Sequence, residues 1–287
     1  MAGCTRRHLA RLALAAPLAH ALARASSPLN SVAIGIQSYS FRDRALDEAI
    51  QAMREIGAGY CELWAGHVEP RKELTPEELG KWRERPPLEM FRKVRQKFQA
   101  AGIALTAYGY TFRQEFSDQQ MVSGFQMAKA LGVTAITSSS NVSCARRIDT
   151  YASRAGITVG MHNHSRIAPD ECATPEDFER AMKGASPYLA INLDIGHFVA
   201  AGFDPLDFIV RNHRRIVAVH LKDRKKNQGP DMLFGQGDTP IREVLGLMAT
   251  RQYRFPALIE YEVENRETVG GVRECFEFCR RALAQPG

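Results

Sequence analysis

"RAGITVGMHNHS", residues 154–165, carries in one short run the order of events that decides the fold. A glycine ends what precedes it, a β-branched apolar run follows, and two histidines stand where that run stops. Gly156 sits where a helix would take its left-handed cap, and "ITVGMH" (157–162) reads as a short buried strand. The same hand-over recurs in "AAGIAL" and "ALGVTAI", with Gly102 and Gly132 at the capping position. Helix-to-strand steps at intervals of roughly 25–40 residues imply parallel βαβ units.

Outward from this stretch the chain offers eight candidate strands: "VAIGIQS" (32–38), "YCELW" (60–64), "IALTAYG" (103–109), "TAITSS" (134–139), "ITVGMH" (157–162), "LAINLD" (189–194), "IVAVHLK" (216–222) and "ALIEYE" (257–262). Amphipathic runs separate them. In "PLEMFRKVRQKFQAAG", Leu88, Phe91, Val94 and Phe98 share one helical stripe, and near the C-terminus Val272, Cys275, Cys279 and Leu283 share another. Eight βα units in 287 residues predict an α/β fold of the (β/α)8 TIM-barrel type, formed by residues 26–287 as a single domain. The alternative is an open doubly wound sheet. No G-x-G-x-x-G turn follows the first strand, which counts against a dinucleotide-binding sheet. The long connection 65–87, rich in both signs of charge, is expected to border the mouth of the barrel as a partial lid or to be a solvated loop with one helical turn.

With 45% hydrophobic and 24% charged residues, the composition is that of an ordinary globular protein. The net charge of +6 owes much to Arg6, Arg7, Arg11 and Arg24; without them 34 basic side chains face 32 acidic ones. That balance gives no general argument for nucleic acid as a partner. "TRRHLARLALAAPLAHALA" (5–23) has a basic head, an apolar stretch and A-x-A-like small residues, so residues 1–25 are expected to be a signal peptide. Arg6 and Arg7 after Thr5 resemble a twin-arginine signal, which implies a periplasmic or secreted protein. An ordinary secretory signal is the alternative. The stretch is too short for a stable membrane anchor. Signal removal would leave five cysteines, an odd number without C-x-x-C spacing, as suits a chain that folds before export.

Six histidines lie beyond the signal: His67, His162, His164, His197, His213 and His220. All but His213 fall at or just past the C-terminal end of a candidate strand, the end at which barrels carry their sites. Strand parity sharpens this. His162 and His164 share a face with Gly160, Asp194 with Asn192, His220 with Ala218 and Lys222, and Glu260 with Leu258. If those faces point inward, His162, Asp194, His220 and Glu260 crowd together. Such density calls for a shared cation, and two nitrogens with two carboxylates suit Mn, Fe, Co or Zn better than Mg or Ca. A hydrogen-bonded polar mouth without metal is the alternative. Glu62, on one face with Trp64, is expected to line the pocket or to serve the rim of the core.

The runs "LDIGHF" (193–198), "VHLKD" (219–223), "FGQGD" (234–238) and "LIEYE" (258–262) resemble, in this order, the sugar phosphate isomerase/epimerase group of xylose isomerase-like TIM barrels. The resemblance spans Val32 to the C-terminus. It implies Asp194, His220 and Glu260 as metal ligands, Glu260 as an acid/base group too, and His197 as a substrate-binding residue. Members that epimerise carry a glutamate on the fifth strand; here His162 stands in its place. That puts a two-glutamate proton relay in doubt and makes His162 the expected ligand and His164 the group that reaches substrate. Catalytic roles are therefore expected of His164, His197 and Glu260, and substrate contacts of Glu62, His67, Lys222 and Asp223. For Lys222 and Asp223 a strand-end salt bridge is the alternative, for Asp223 an equal one.

The implied chemistry is α-proton abstraction from a small sugar or keto-sugar with a metal-stabilised enediolate, giving isomerisation or epimerisation. A dehydratase or lyase acting on a keto-sugar or cyclitol, and a non-catalytic sugar-binding barrel, are the alternatives. No arginine- or glycine-rich phosphate cradle is evident near the eighth strand, which with export favours an unphosphorylated substrate. The group also contains a DNA-repair endonuclease. That activity needs further ligands on the second to fourth strands, whereas the third ends in "TAYGYTF" and the fourth in "TSSSN". A homo-oligomer is compatible with the fold.

Overall fold

The computed structural model describes residues 32–284; the expected signal at residues 1–25 lies outside the described residues. All eight expected strands are present: β1 (Ile34–Gln37), β2 (Tyr60–Trp64), β3 (Ala104–Gly109), β4 (Ala135–Ser138), β5 (Thr158–His162), β6 (Leu189–Asp194), β7 (Ile216–Leu221) and, last in the chain, β10 (Ala257–Ile259). They close into a parallel barrel in the order β1-β10-β7-β6-β5-β4-β3-β2. The open-sheet alternative is excluded. Between β7 and β10 lies an antiparallel hairpin that the sequence did not announce, β8 (Asp223–Arg224) with β9 (Asp231–Met232).

The helices are α1 (Leu46–Ile56), α2 (Pro76–Glu84), α3 (Leu88–Ala100), α4 (Asp118–Leu131), α5 (Ala145–Ala155), α6 (Pro175–Met182), α7 (Ile195–Ala200), α8 (Pro205–Asn212), α9 (Ile241–Arg251) and α10 (Thr268–Ala284). The three repeated glycines behave as the sequence demands. Gly132 and Gly156 cap α4 and α5 with φ of 77° and 67°, and Gly102 follows α3 with φ of 73°, a backbone region that costs an L-residue steric strain and glycine none.

The apolar stripes pack inward as their periodicity predicts. Phe91, Val94 and Phe98 of α3 are buried against the barrel wall, with Leu88 half-buried at the edge. Val272, Cys275 and Cys279 of α10 are buried too, and the five described cysteines are free thiols. Burial raises the Cys275 thiol to about 12, so it stays protonated and inert. Connection 65–87 holds more structure than expected. A tight turn at Ala65–His67 leads to α2, whose start is fixed by a reciprocal cap between Thr75 and Glu78. Among the described residues no helix is long and apolar enough to cross a membrane.

Candidate metal centre and active site

Register brings the ligand candidates together. His162 ends β5 and pairs with Asn192; Asp194 ends β6 and pairs with His220 of β7; Leu258 of β10 pairs with His220 on its other side. Glu260 follows β10, but its N–H still bonds to Leu221 O at 3.0 Å, so the pleat continues and turns its side chain inward. One donor atom from each of His162, Asp194, His220 and Glu260 lies within 4.8 Å of the others, and all four residues are buried.

These residues fit a divalent cation. Asp194 Oδ2, His220 Nδ1 and Glu260 Oε2 are buried without a well-formed hydrogen bond and meet only ionic neighbours at 3.2–3.5 Å, an incompletely satisfied state for three polar atoms aimed at one place. A single cation held by these four residues would satisfy all three atoms at once. The surroundings orient the imidazoles. His220 Nε2 donates to Glu62 Oε2 at 2.9 Å, and Glu62 Oε1 accepts from Thr137 Oγ1 at 2.5 Å, the carboxylate–histidine arrangement that presents Nδ1 to a metal. The Asn192 amide lies 3.2 Å from both His162 Nδ1 and His220 Nε2, with its Oδ1 buried and unpartnered. Turned so that the oxygen faces the rings, it accepts from His162 Nδ1–H and leaves His162 Nε2 toward the cavity.

Charge is balanced by a lysine drawn into the cluster. Lys222 Nζ lies 3.2 Å from Glu260 Oε2, 3.5 Å from Asp194 Oδ2, and is bonded to Glu262. Burial alone would lower its pKa, but these carboxylates hold it well above its ordinary value. Burial would likewise depress His220, yet Glu62 and Glu260 raise it to about 10. Burial works to raise Glu260, but Lys222 and His220 keep it ionised, well below the usual range. Asp194 is pushed to about 7 by burial, with Lys222 opposing and Glu260 assisting.

The expected site residues separate into two groups. His162, His164, His197, His220 and Glu260 line one cavity of about 380 Å³ at the C-terminal mouth, as does Glu62. His164 is the imidazole left free there: it makes no side-chain hydrogen bond among the described residues, and burial lowers its pKa so that it is neutral at neutral pH. His197 is less free than expected of an acid/base group. Its Nε2 lies 3.1 Å from Lys222 Nζ and its Nδ1 2.9 Å from Arg224 Nη1. Burial and the Lys222 charge keep it from accepting a proton.

Three expected substrate contacts are corrected. His67 does not reach the cavity. Its Nδ1 bonds Ser38 Oγ at 3.0 Å and its Nε2 meets Phe41 O at 3.2 Å, so the ring braces the turn after β1. Asp223 is buried and accepts N–H bonds from Gly235, Gly237 and Thr239. It is neither a substrate contact nor a salt bridge but the anchor of the "FGQGD" turn. A Cβ at Gly237 would lie 1.9 Å from its Oδ1, which is why that turn needs glycine. Lys222 takes the salt-bridge alternative, meeting Asp194, Glu260 and Glu262 in place of substrate. Past Asp223, Arg224 also reaches inward, to Ser165 Oγ at 2.8 Å and to His197.

Sequence reasoning missed several cavity residues. Glu262 was legible, two positions beyond Glu260 on the same face, and so was Asn192, two before Asp194. Arg71 and Arg83 of the long connection and Arg113 beyond β3 also line the cavity, without a sequence signal that separates them from other surface arginines.

Comparison with known proteins agrees with this architecture. A family model described as a xylose isomerase-like TIM barrel matches residues 50–282. Among solved structures, the chain resembles a sugar phosphate isomerase/epimerase from Parabacteroides distasonis (17% identity, TM-score 0.65, 92% of this chain and 99% of that one). It also resembles the 3-keto-D-glucoside 4-epimerase YcjR from E. coli (14%, 0.66, 87% and 99%) and the IolI protein with a bound zinc atom (14%, 0.65, 88% and 98%). At these identities the likeness is one of fold. A search of curated proteins found no match.

Proposed function

The chain belongs to the xylose isomerase-like TIM barrel family, and from that premise we propose that it is a divalent-metal-dependent isomerase or epimerase of a small sugar or keto-sugar. The observation that carries this reading is the convergence of His162, Asp194, His220 and Glu260, three of them with a buried orphaned donor atom, beside one unpartnered imidazole in the same cavity. These four residues would hold Mn, Co, Fe or Zn; the zinc-bound IolI structure has the same fold. When bound, the cation would polarise two neighbouring substrate oxygens and stabilise the charge that α-proton loss leaves on them.

The chain's own groups do the rest. His164, neutral and facing the cavity, takes the α-proton at a ring nitrogen. Return of that proton to the neighbouring carbon isomerises the substrate. Return to the other face epimerises it, a step for which the ionised Glu260 would first have to take up a proton from solvent. His197, fixed between Lys222 and Arg224, binds and orients substrate. Glu62 and Asn192 hold the ligand imidazoles in place, and Lys222 with His220 keeps Glu260 ionised.

One feature favours a second reading, elimination. With His162 on β5, only Glu260 remains of a two-carboxylate relay, and a protonated His164 could give its proton to a departing β-hydroxyl. The two readings part in one experiment. Keto-sugars incubated with Mn- or Zn-loaded protein in D2O are followed by proton NMR. Deuterium entering at the α-carbon, lost in His164→Ala, supports the isomerase; olefinic signals support the dehydratase. Binding without exchange from any keto-sugar would overturn both and leave a sugar-binding barrel. We further propose that residues 1–25 carry the folded domain through the twin-arginine route to the periplasm or beyond. Retention in the cytoplasm on replacing Arg6 and Arg7 by lysine is the expected outcome.

A further inference from the structure

The mouth of the barrel has a second charged side. Arg71 and Arg83 come from the connection after β2, and Arg113 from the loop after β3; all three line the cavity that holds the metal-site residues. In the barrel order β2 and β3 stand opposite β6 and β7, so the arginines face the carboxylate cluster across the mouth.

These arginines are prepared rather than neutralised. The Glu69 carboxylate is wholly buried and accepts from Arg83 Nε and Nη2, both at 2.8 Å, and from Arg71 Nε at 2.7 Å. One carboxylate fixes two guanidinium groups and leaves one positive charge over. The Arg71 guanidinium also lies over the Trp64 ring at 5.6 Å and that of Arg83 over Phe116 at 5.4 Å, contacts that hold the planes while leaving N–H edges free. Arg113 is exposed, and its side chain has no ion pair or hydrogen bond among the described residues. No arginine of this set is paired with an acid across the cavity, because Asp194, Glu260 and Glu262 already have Lys222 and His220 on their own side. Beyond Glu69, the two surplus positive charges on this side form no ion pair with the described residues.

We propose that Arg71, Arg83 and Arg113 form an anion subsite, and that the substrate carries a carboxylate or phosphate at the end remote from its reacting carbons. Preordered guanidinium groups bind such oxygens bidentately and with little loss of side-chain freedom. A cavity of about 380 Å³ suits one monosaccharide-sized molecule reaching from the metal side to the arginine side. The proposal rests on reading this mouth as the substrate cavity, but it concerns a different set of residues and is tested by binding alone.

The test is calorimetric titration of the protein, metal-free and zinc-loaded, with D-glucuronate, D-glucose 6-phosphate and D-glucose. An anionic sugar should bind at least about tenfold more tightly than glucose, with or without zinc, and lose that preference in Arg113→Gln. Arg113→Lys should retain part of it, and Arg71→Gln should repeat the loss by a second route. The stronger of the two anionic arms identifies carboxylate or phosphate. Equal binding of glucose and the anionic sugars, no binding of any probe, or a preference that survives both glutamine variants would overturn the subsite. An anion preference that appears only with zinc and ignores the arginines would place the anion on the metal and also overturn it. Failure of zinc to bind, with the arginine-dependent preference intact, would count against the metal reading and leave the subsite standing.

Discussion

On the β6–β7–β10 side of the mouth the charged side chains are buried and meet opposite charges closely: His220 lies 3.3 Å from Glu260 and 2.9 Å from Glu62, which reaches over from β2, and Lys222 lies 3.2 Å from Glu260 and 3.5 Å from Asp194. On the β2–β3 side two arginines share one buried carboxylate and a third has none. The first side is built around cations that can be exchanged: a proton on His220 or the Lys222 ammonium stands near the place a divalent ion would take. The second is built around a positive surplus that waits for a ligand. The difference teaches that burial decides how a charge is used. Where water is excluded, an unpaired charge is intolerable and the protein supplies its own partner; where one face stays open, the partner can come from solution.

The comparison breaks most visibly if His220 is removed. In metal-free protein, His220→Ala leaves Glu62 and Glu260 facing the gap without their shared cation, and should cost about 3–5 kcal/mol. Arg113→Ala should stay within about 0.5 kcal/mol. Urea denaturation of both variants measures the contrast, and equal losses would erase it.

Glu69→Gln probes the other side. It removes the carboxylate that aligns Arg71 and Arg83, and should cost about 2 kcal/mol while anion affinity falls, because the guanidinium groups repel and swing apart.

A pH series separates the two sides by sign. His220 has a folded pKa of about 10 against roughly 6.5 unfolded. Its proton therefore stabilises the metal-free protein fully below about pH 6.5, and that contribution is lost as pH rises toward 10. Thermal midpoints of metal-free protein should fall across this window, and flatten in His220→Ala. Metal affinity should run the opposite way, rising up to about tenfold per pH unit as the ion displaces one proton. The smallest effect belongs to His67: His67→Gln should cost about 1 kcal/mol or less through its lost contacts and leave kcat/KM unchanged, as befits a brace outside the cavity.

Much of this was legible in sequence. Strand positions followed from apolar runs, and helix ends from Gly102, Gly132 and Gly156, because both signals are local. The metal cluster followed from parity: side chains on adjacent parallel strands share a face whatever the rest of the fold does. Errors began where parity ends. His67 and Asp223 sit at strand ends like the true cavity residues, but the chain turns there, and the direction of a side chain in a turn depends on which N–H or hydroxyl group it finds. Lys222 has the parity of His220, which correctly turned it inward; that carboxylates and not substrate would meet it required three strands in register. Arg71 and Arg83 were hidden in a stretch with both signs of charge, since only packing reveals that they share Glu69.

Elemental analysis of purified protein beside His162→Ala and Asp194→Asn tests the central claim most directly. The account predicts about one transition-metal ion per chain after reconstitution with Mn, Co or Zn, with affinity reduced by at least about a hundredfold in both variants. Folded wild-type protein that binds none of these ions, or variants that retain the ion at full affinity, would contradict it.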